Sequence, residues 1–206
     1  MLHIRTWLSL FALLLAAQFC EAGKYNRVLS IGDAAPSWKD LPGVDGKNHS
    51  LADLKDKPIV VVVFTCNSCP YANDYEERLI ALAKKHGGAE GKVAVVAINV
   101  NLVEEDRLPA MEKRAKEKDY NFAYLFDETQ QIARDYGAIY TPEFYVLDKD
   151  RKVVYMGAMD DANDPANVKN RYVEAAIEAG LAGKKAEIGE APSRGCAVRY
   201  ARKKRD

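Results

Sequence analysis

The chain has 206 residues, with 30 Lys plus Arg against 30 Asp plus Glu, so its formal net charge is zero. That balance argues against a generic polyanion binder, because neutralising phosphates needs a cationic surplus on some face. Apolar residues at 48% and charged ones at 29% describe a globular chain with enough length for one sizeable core, and one domain is the default. Four cysteines are too few to staple a small scaffold, so a cysteine pair here points to chemistry before architecture.

His3 and Arg5 precede an apolar run from Trp7 to Phe19, and Cys20-Glu21-Ala22 then sets small residues around a break before Gly23. This is the layout of a secretory signal peptide, and the run is well short of the roughly 20 residues that cross a bilayer. Cleavage after Ala22 is the expectation. The rivals are an uncleaved anchor and lipidation of Cys20, for which bulky Phe19 is a poor neighbour. The expected plan is a signal peptide over 1–22, a globular domain over 23–182, and a basic tail over 183–206 that carries Cys196. The exported chain keeps Cys66, Cys69 and Cys196, and a periplasmic or secreted location permits thiol–disulfide chemistry.

Residues 24–58 hold Gly32, Pro36, Pro42, Gly43, Gly46 and Pro58, which suits short strands or a hairpin better than a helix. The β-branched run Ile59–Phe64 reads as a strand buried on both faces. After Cys66-Asn67-Ser68-Cys69-Pro70, the spacing of Tyr71, Tyr75, Leu79 and Leu82 predicts a helix ending near His86-Gly87-Gly88, with Tyr71, Tyr75 and, further on, Tyr136 as core aromatics. Val93–Ile98 reads as a second buried strand. A helix follows over about Pro109–Lys118, with Leu108, Met111 and Ala115 on one side, and then a short strand over Phe122–Phe126. Asp127 with Gln130 reads as a capping box for a helix that turns Ile132 and Tyr136 inward, closed by Gly137. Glu143–Leu147 and Lys152–Gly157 flank a polar turn as an antiparallel hairpin. Asp164-Pro165 is expected to open a last helix with Val173, Ala176, Ile177 and Leu181 buried. Residues 183–206 lack periodicity and end in Arg199, Arg202, Lys203, Lys204 and Arg205, a solubilising tail. Strands alternating with helices, then a hairpin and a helix, indicate an α/β sandwich around a mixed sheet.

Cys66 and Cys69 fall where a buried strand meets the helix after it. Backbone N–H groups at a helix N-terminus favour negative charge, so a thiol there ionises more readily. Two intervening residues let the sulfurs face one another, so that Cys66 attacks a disulfide and Cys69 resolves the mixed disulfide. A structural cystine is one rival. A metal site is the other, although no second two-spaced pair exists and His49 and His86 are isolated. Asp160, Asp161 and Asp164 lack the glycine turn and distal glutamate of a calcium loop and read as a solvated turn.

Ile31-Gly32-Asp33-Ala34-Ala35-Pro36, with Gly46, Ser50-Leu51 and Asp53-Leu54 before the valine strand, resembles the opening of the redoxin branch of the thioredoxin superfamily. That branch holds the alkyl hydroperoxide reductase/thiol-specific antioxidant proteins and exported disulfide oxidoreductases. Phe64-Thr65-Cys66-Asn67-Ser68-Cys69-Pro70 resembles the active-site segment of its peroxiredoxin-like two-cysteine subgroup, and Tyr136–Pro142 is similar to the segment carrying the superfamily's cis-proline. Asp160-Asp161 and Gly195-Cys196 also resemble that subgroup, and the likeness spans roughly 28–200.

The resemblance implies a thioredoxin-like three-layer sandwich with a mixed sheet between helices. It also implies a cis Pro142 facing the cysteines, with Thr65, Thr141 and Pro142 shaping a groove whose backbone edge beside Thr141 is free for an extended client. Two departures stand out. No threonine lies three residues before either cysteine, Val63 holding that place for Cys66, which counts against peroxidase chemistry. Val60 occupies the position where thioredoxins carry a buried acid. Cys196 is a possible accessory thiol, through a mixed disulfide with Cys66 or a bridge to a partner.

The leading expectation is an exported, monomeric thiol–disulfide oxidoreductase. It needs no cofactor and no metal, acts on protein thiols and disulfides with an electron-exchanging partner, and touches neither nucleic acid nor membrane beyond the signal peptide. The alternatives are a thiol-dependent peroxidase and, by analogy with exported relatives of this fold, a copper-binding or delivery protein.

Overall fold

The turn formers before Pro58 become a hairpin of β1 (Leu41–Pro42) and β2 (Asn48–His49), closed through Gly46 at φ +74°, a conformation glycine adopts without a Cβ penalty. The computed structural model describes residues 23–88 and 91–202. The expected signal peptide with Cys20, and Lys203, Lys204 and Arg205, lie outside the described residues.

The valine run forms β3 (Ile59–Thr65), with Ile59 through Phe64 buried. Then come α1 (Pro70–His86), β4 (Val93–Asn99), α2 (Leu108–Glu117), β5 (Ala123–Phe126), α3 (Gln131–Tyr136), β6 (Tyr140–Thr141), β7 (Glu143–Leu147), β8 (Val153–Gly157), α4 (Tyr172–Leu181) and β9 (Cys196–Ala197). The main sheet runs β5-β4-β3-β7-β8, parallel from β3 to β5 and antiparallel across β3–β7 and β7–β8. Strand alternation sends Ile59, Val61 and Val63 to one face, packed by Leu79 and Leu82 of α1, Met111 of α2 and Ile177 of α4. Val60, Val62 and Phe64 face Ala133 and Tyr136 of α3, with Leu29, Trp38 and Leu51 from the N-terminal segment. This is a three-layer α/β sandwich on a mixed sheet, and its central strand points at the cysteine pair.

Several local expectations are corrected. Asp164-Pro165 opens only a 3-10 turn, Pro165–Asn167, and the last helix starts at Tyr172. Leu181, at the end of that helix, is exposed instead of buried. Tyr71 is also exposed, at 44%, because α1 turns this side chain of its first turn outward, whereas Tyr75 and Tyr136 are in the core. Asp160 is buried and not solvated: it meets Arg78 at 2.5 Å and accepts from the Tyr75 hydroxyl at 3.3 Å, so its charge is matched inside the protein. The Asp127/Gln130 capping box does not form, because Gln130 sits in the left-handed region at φ +59°. Asp127 Oδ2 caps α3 by accepting the Ile132 N–H at 2.9 Å, and Thr129 Oγ1 accepts the Gln131 N–H at 3.1 Å. Asp127→Ala is expected to lower stability by about 1–2 kcal/mol, read as a shift in urea midpoint.

Residues 183–202 are not a loose tail. Gln130 donates to the carbonyls of Val100 and Arg199 and accepts the Ala201 N–H, tying β4 and α3 to the C-terminal segment. Ala191 and Val198 are buried, and β9 pairs antiparallel with β6.

Candidate active site

Each cysteine is placed by a boundary between elements. Cys66 directly follows β3, and Cys69 is the N-cap of α1, where its sulfur accepts the Ala72 N–H at 3.4 Å. Pro70 at the first helical position sacrifices no hydrogen bond there. Across from them the Thr141–Pro142 peptide is cis. The Thr141 hydroxyl lies 3.4 Å from the Cys66 sulfur, and the protonated Cys69 thiol donates to the Thr141 carbonyl at 3.1 Å. Both cysteines are free thiols and both are buried. Thr65 forms no hydrogen bond to either sulfur. It lines a small internal pocket with Ala72, Tyr75, Pro142 and Phe144.

The two sulfurs share a hydrogen bond, so the pair gives up its first proton readily and its second reluctantly. The Cys66 hydrogen bond pulls Cys69 down to about 4 against burial, helped by the Cys196 thiol, Thr141 and the Ala72 N–H. That same hydrogen bond holds Cys66 up, with burial and the Asp106 carboxylate adding to it. One negative charge across the pair is the chemistry that thiol exchange needs.

Sequence reading missed Asp106. This fully buried carboxylate ends a 3-10 turn, Glu104–Asp106, and fills the turn between the cysteines. It accepts the backbone N–H groups of Asn67 (2.6 Å) and Ser68 (3.1 Å), the Ser68 hydroxyl (2.6 Å) and the Asn99 amide (3.3 Å). The Ser68 proton is thereby committed to Asp106, so Ser68 Oγ, 3.8 Å from Cys66, has none to offer that sulfur. Asn67 is held from its other side by Tyr124 and by the Glu105 carbonyl. Glu143 was missed as well. Buried after Pro142, it accepts the N–H groups of Ile139 and Tyr140 and so braces the Thr141 loop, while burial holds its carboxyl above the usual range.

The structure also corrects an expectation about the C-terminus. Cys196 packs against the cluster of Cys66, Cys69 and Ala72. The backbone edge beside Thr141 is not free, because Thr141 pairs with Cys196. His49 pairs with Asp45 and His86 lies by Glu174, and among the described residues no group of three or more His, Cys, Asp or Glu converges as a metal-binding set.

Fold and site together define a thioredoxin-like protein with two facing thiols at a strand–helix junction. The sequence model of the AhpC/TSA family matches residues 31–156, and the chain belongs to that family, in the redoxin branch of the thioredoxin superfamily. It is 27% identical over 127 residues to the thiol-disulfide oxidoreductase ResA of Geobacillus thermodenitrificans, covering 61% of this chain and 67% of that protein. A conserved protein of Geobacillus kaustophilus, described as uncharacterized, superposes with a TM-score of 0.78 at 37% identity over 85% of this chain and 95% of its own. A hypothetical protein of Sinorhizobium meliloti does so with 0.77 at 35% over 85% and 97%.

Proposed function

We propose that this protein is an exported thiol–disulfide oxidoreductase that exchanges dithiols and disulfides with protein clients through Cys66 and Cys69. The observation that carries the reading is the pair of hydrogen-bonded thiols at the N-terminus of α1, opposite Thr141-Pro142, with one of them drawn down to about 4. The relationship to ResA, a thiol-disulfide oxidoreductase, supports it. Cys69 is hemmed in by the Ala72 N–H, the Thr141 carbonyl and the Cys196 thiol. Cys66 faces the Thr141 hydroxyl, which can turn aside, and it becomes the attacking thiolate when its proton passes to Cys69. Cys66 therefore attacks the client disulfide, and Cys69 then displaces the reduced client. Export rests on residues 1–22. No helix among the described residues is long and apolar enough to cross a membrane. Val63, three residues before Cys66, is an apolar side chain buried in β3 and lends nothing to a peroxidase reading.

The test is a redox titration with alkylation and peptide mapping, joined to trapping with a disulfide-bonded client protein. A reversible Cys66–Cys69 disulfide is expected, and Cys69→Ser should accumulate a mixed disulfide on Cys66. Absence of any Cys66–Cys69 disulfide across the titration defeats the reading. Trapping through Cys69 in Cys66→Ser, with none on Cys66, reverses the two roles.

A further inference from the structure

The edge of the Thr141 loop is where an extended client would pair, and the protein's own C-terminal strand already lies there. Thr141 is partnered with Cys196 and Tyr140 with Ala197, and the Thr141 hydroxyl reaches the Cys196 carbonyl at 3.5 Å. The approach is so close that only glycine fits at position 195: a Cβ there would stand 2.1 Å from the Thr141 carbonyl oxygen and 3.2 Å from the Pro142 nitrogen. Val198 N–H bonding to Ile139 and Gln130 bonding to Arg199 and Ala201 fasten the strand beyond Cys196. Cys196 consequently joins the cluster of Cys66, Cys69 and Ala72. Cys69 and the Tyr71 N–H in the first turn of α1 both act on the ionisation of its thiol, Cys69 raising it and Tyr71 lowering it. Three sulfurs share one cluster, and Cys69 is the one that bears on the Cys196 thiol.

The geometry points to Cys196 as a third redox thiol, an internal exchange partner that takes Cys69 from the Cys66–Cys69 disulfide. The inference rests on the oxidoreductase reading and adds a step to it. The Cys196 thiolate attacks Cys69 Sγ, the Cys69–Cys196 bond forms, and the Cys69–Cys66 bond breaks. Its electron pair leaves with Cys66, which takes up the proton that Cys196 released. Nothing is oxidised or reduced overall, so no further reagent is required. The consequence is that an oxidised protein presents Cys66 as a thiol, held ready while Cys69 is parked on the C-terminal strand. Burial and the neighbouring Cys69 raise the Cys196 thiol, so the exchange should quicken as pH rises.

The full chain carrying Cys20→Ser keeps three thiols. One equivalent of diamide oxidises two of them, and N-ethylmaleimide then marks the third for peptide mapping. The expected result is label on both Cys66 and Cys196, with Cys66 marked to at least about a tenth of the Cys196 level, and a Cys69–Cys196 linked peptide. Gly195→Ala, which pushes the strand off Thr141, should cut the Cys66 label about tenfold. Label confined to Cys196 overturns the inference while leaving the Cys66–Cys69 reading intact. So does Gly195→Ala with the Cys66 label undiminished. Label on Cys69 in place of Cys66 means that Cys196 pairs with Cys66 and overturns the assignment. If no disulfide forms among the three, this inference and the oxidoreductase reading both fall.

Discussion

Titrated through its thiolate absorbance, the reduced protein is expected to lose one proton from the Cys66–Cys69 pair well below pH 7 and to hold the second past the ordinary thiol value of 9.0. The cause is the hydrogen bond between the sulfurs, which stabilises one thiolate and resists a second. Iodoacetamide should accordingly react at a nearly flat rate from about pH 6 to 8, where an ordinary thiol slows about tenfold for each unit of acidification. Cys66→Ala removes the leading cause and should return Cys69 toward 9.0. A first ionisation near 9 in the unaltered protein would refute the shared-proton arrangement.

The same shifts fix how stability responds to pH in the reduced state. Cys69 is depressed in the folded protein, so its contribution is full above 9.0 and is lost as pH falls through about 4. Cys66 is raised, so its contribution is full below 9.0 and is lost as pH climbs beyond it. The melting temperature of the reduced protein should therefore rise from about pH 4 to a maximum near pH 9, and the disulfide form should lack that profile. A thiolate stabilised only in the dithiol form favours reduction of the disulfide. The midpoint should lie on the oxidising side of thioredoxin's roughly −270 mV. A midpoint at or below that figure would mean that burial and the Asp106 charge outweigh the hydrogen bonds to Cys69.

What the sequence shows of this molecule follows from how locally each feature is encoded. The uninterrupted β-branched run is enough to place β3 in the middle of a sheet, since few other environments bury six consecutive apolar residues. The Cys66–Pro70 stretch marks the start of α1 because proline at a first helical position and an apolar stripe behind it act within a few residues. The misjudged features depend on distant partners. Glu104-Glu105-Asp106 reads as a polar connection, and nothing nearby shows that Asp106 turns inward to N–H groups 39 and 38 residues away. β9 is two residues long, too short for periodicity, and its partner strand lies about Thr141. The capping signal at Asp127 is half right. Its carboxylate does cap α3, but Gln130 is drawn off to the C-terminal segment and takes a left-handed backbone to get there.

Asp106→Ala is expected to be the most damaging single change outside the cysteines. The substitution strips the acceptor from two backbone N–H groups, a hydroxyl and an amide in a site closed to solvent. Hydrogen bonds to a charged group contribute about 1.5–3 kcal/mol each, and leaving several such donors unpaired should cost about 4 kcal/mol in unfolding experiments, after partial relaxation. The turn between the cysteines would lose its anchor, and a displacement of about 1 Å at the sulfurs is enough to slow exchange about 100-fold. Asp106→Asn separates charge from scaffolding. It keeps the shape and some of the acceptor capacity, so its stability loss should be about half as large. It also removes the carboxylate charge that helps hold Cys66 up, so the second thiol ionisation should move to lower pH. If Asp106→Asn leaves that ionisation where it was, the carboxylate acts on the turn alone and its charge does not reach the Cys66 sulfur.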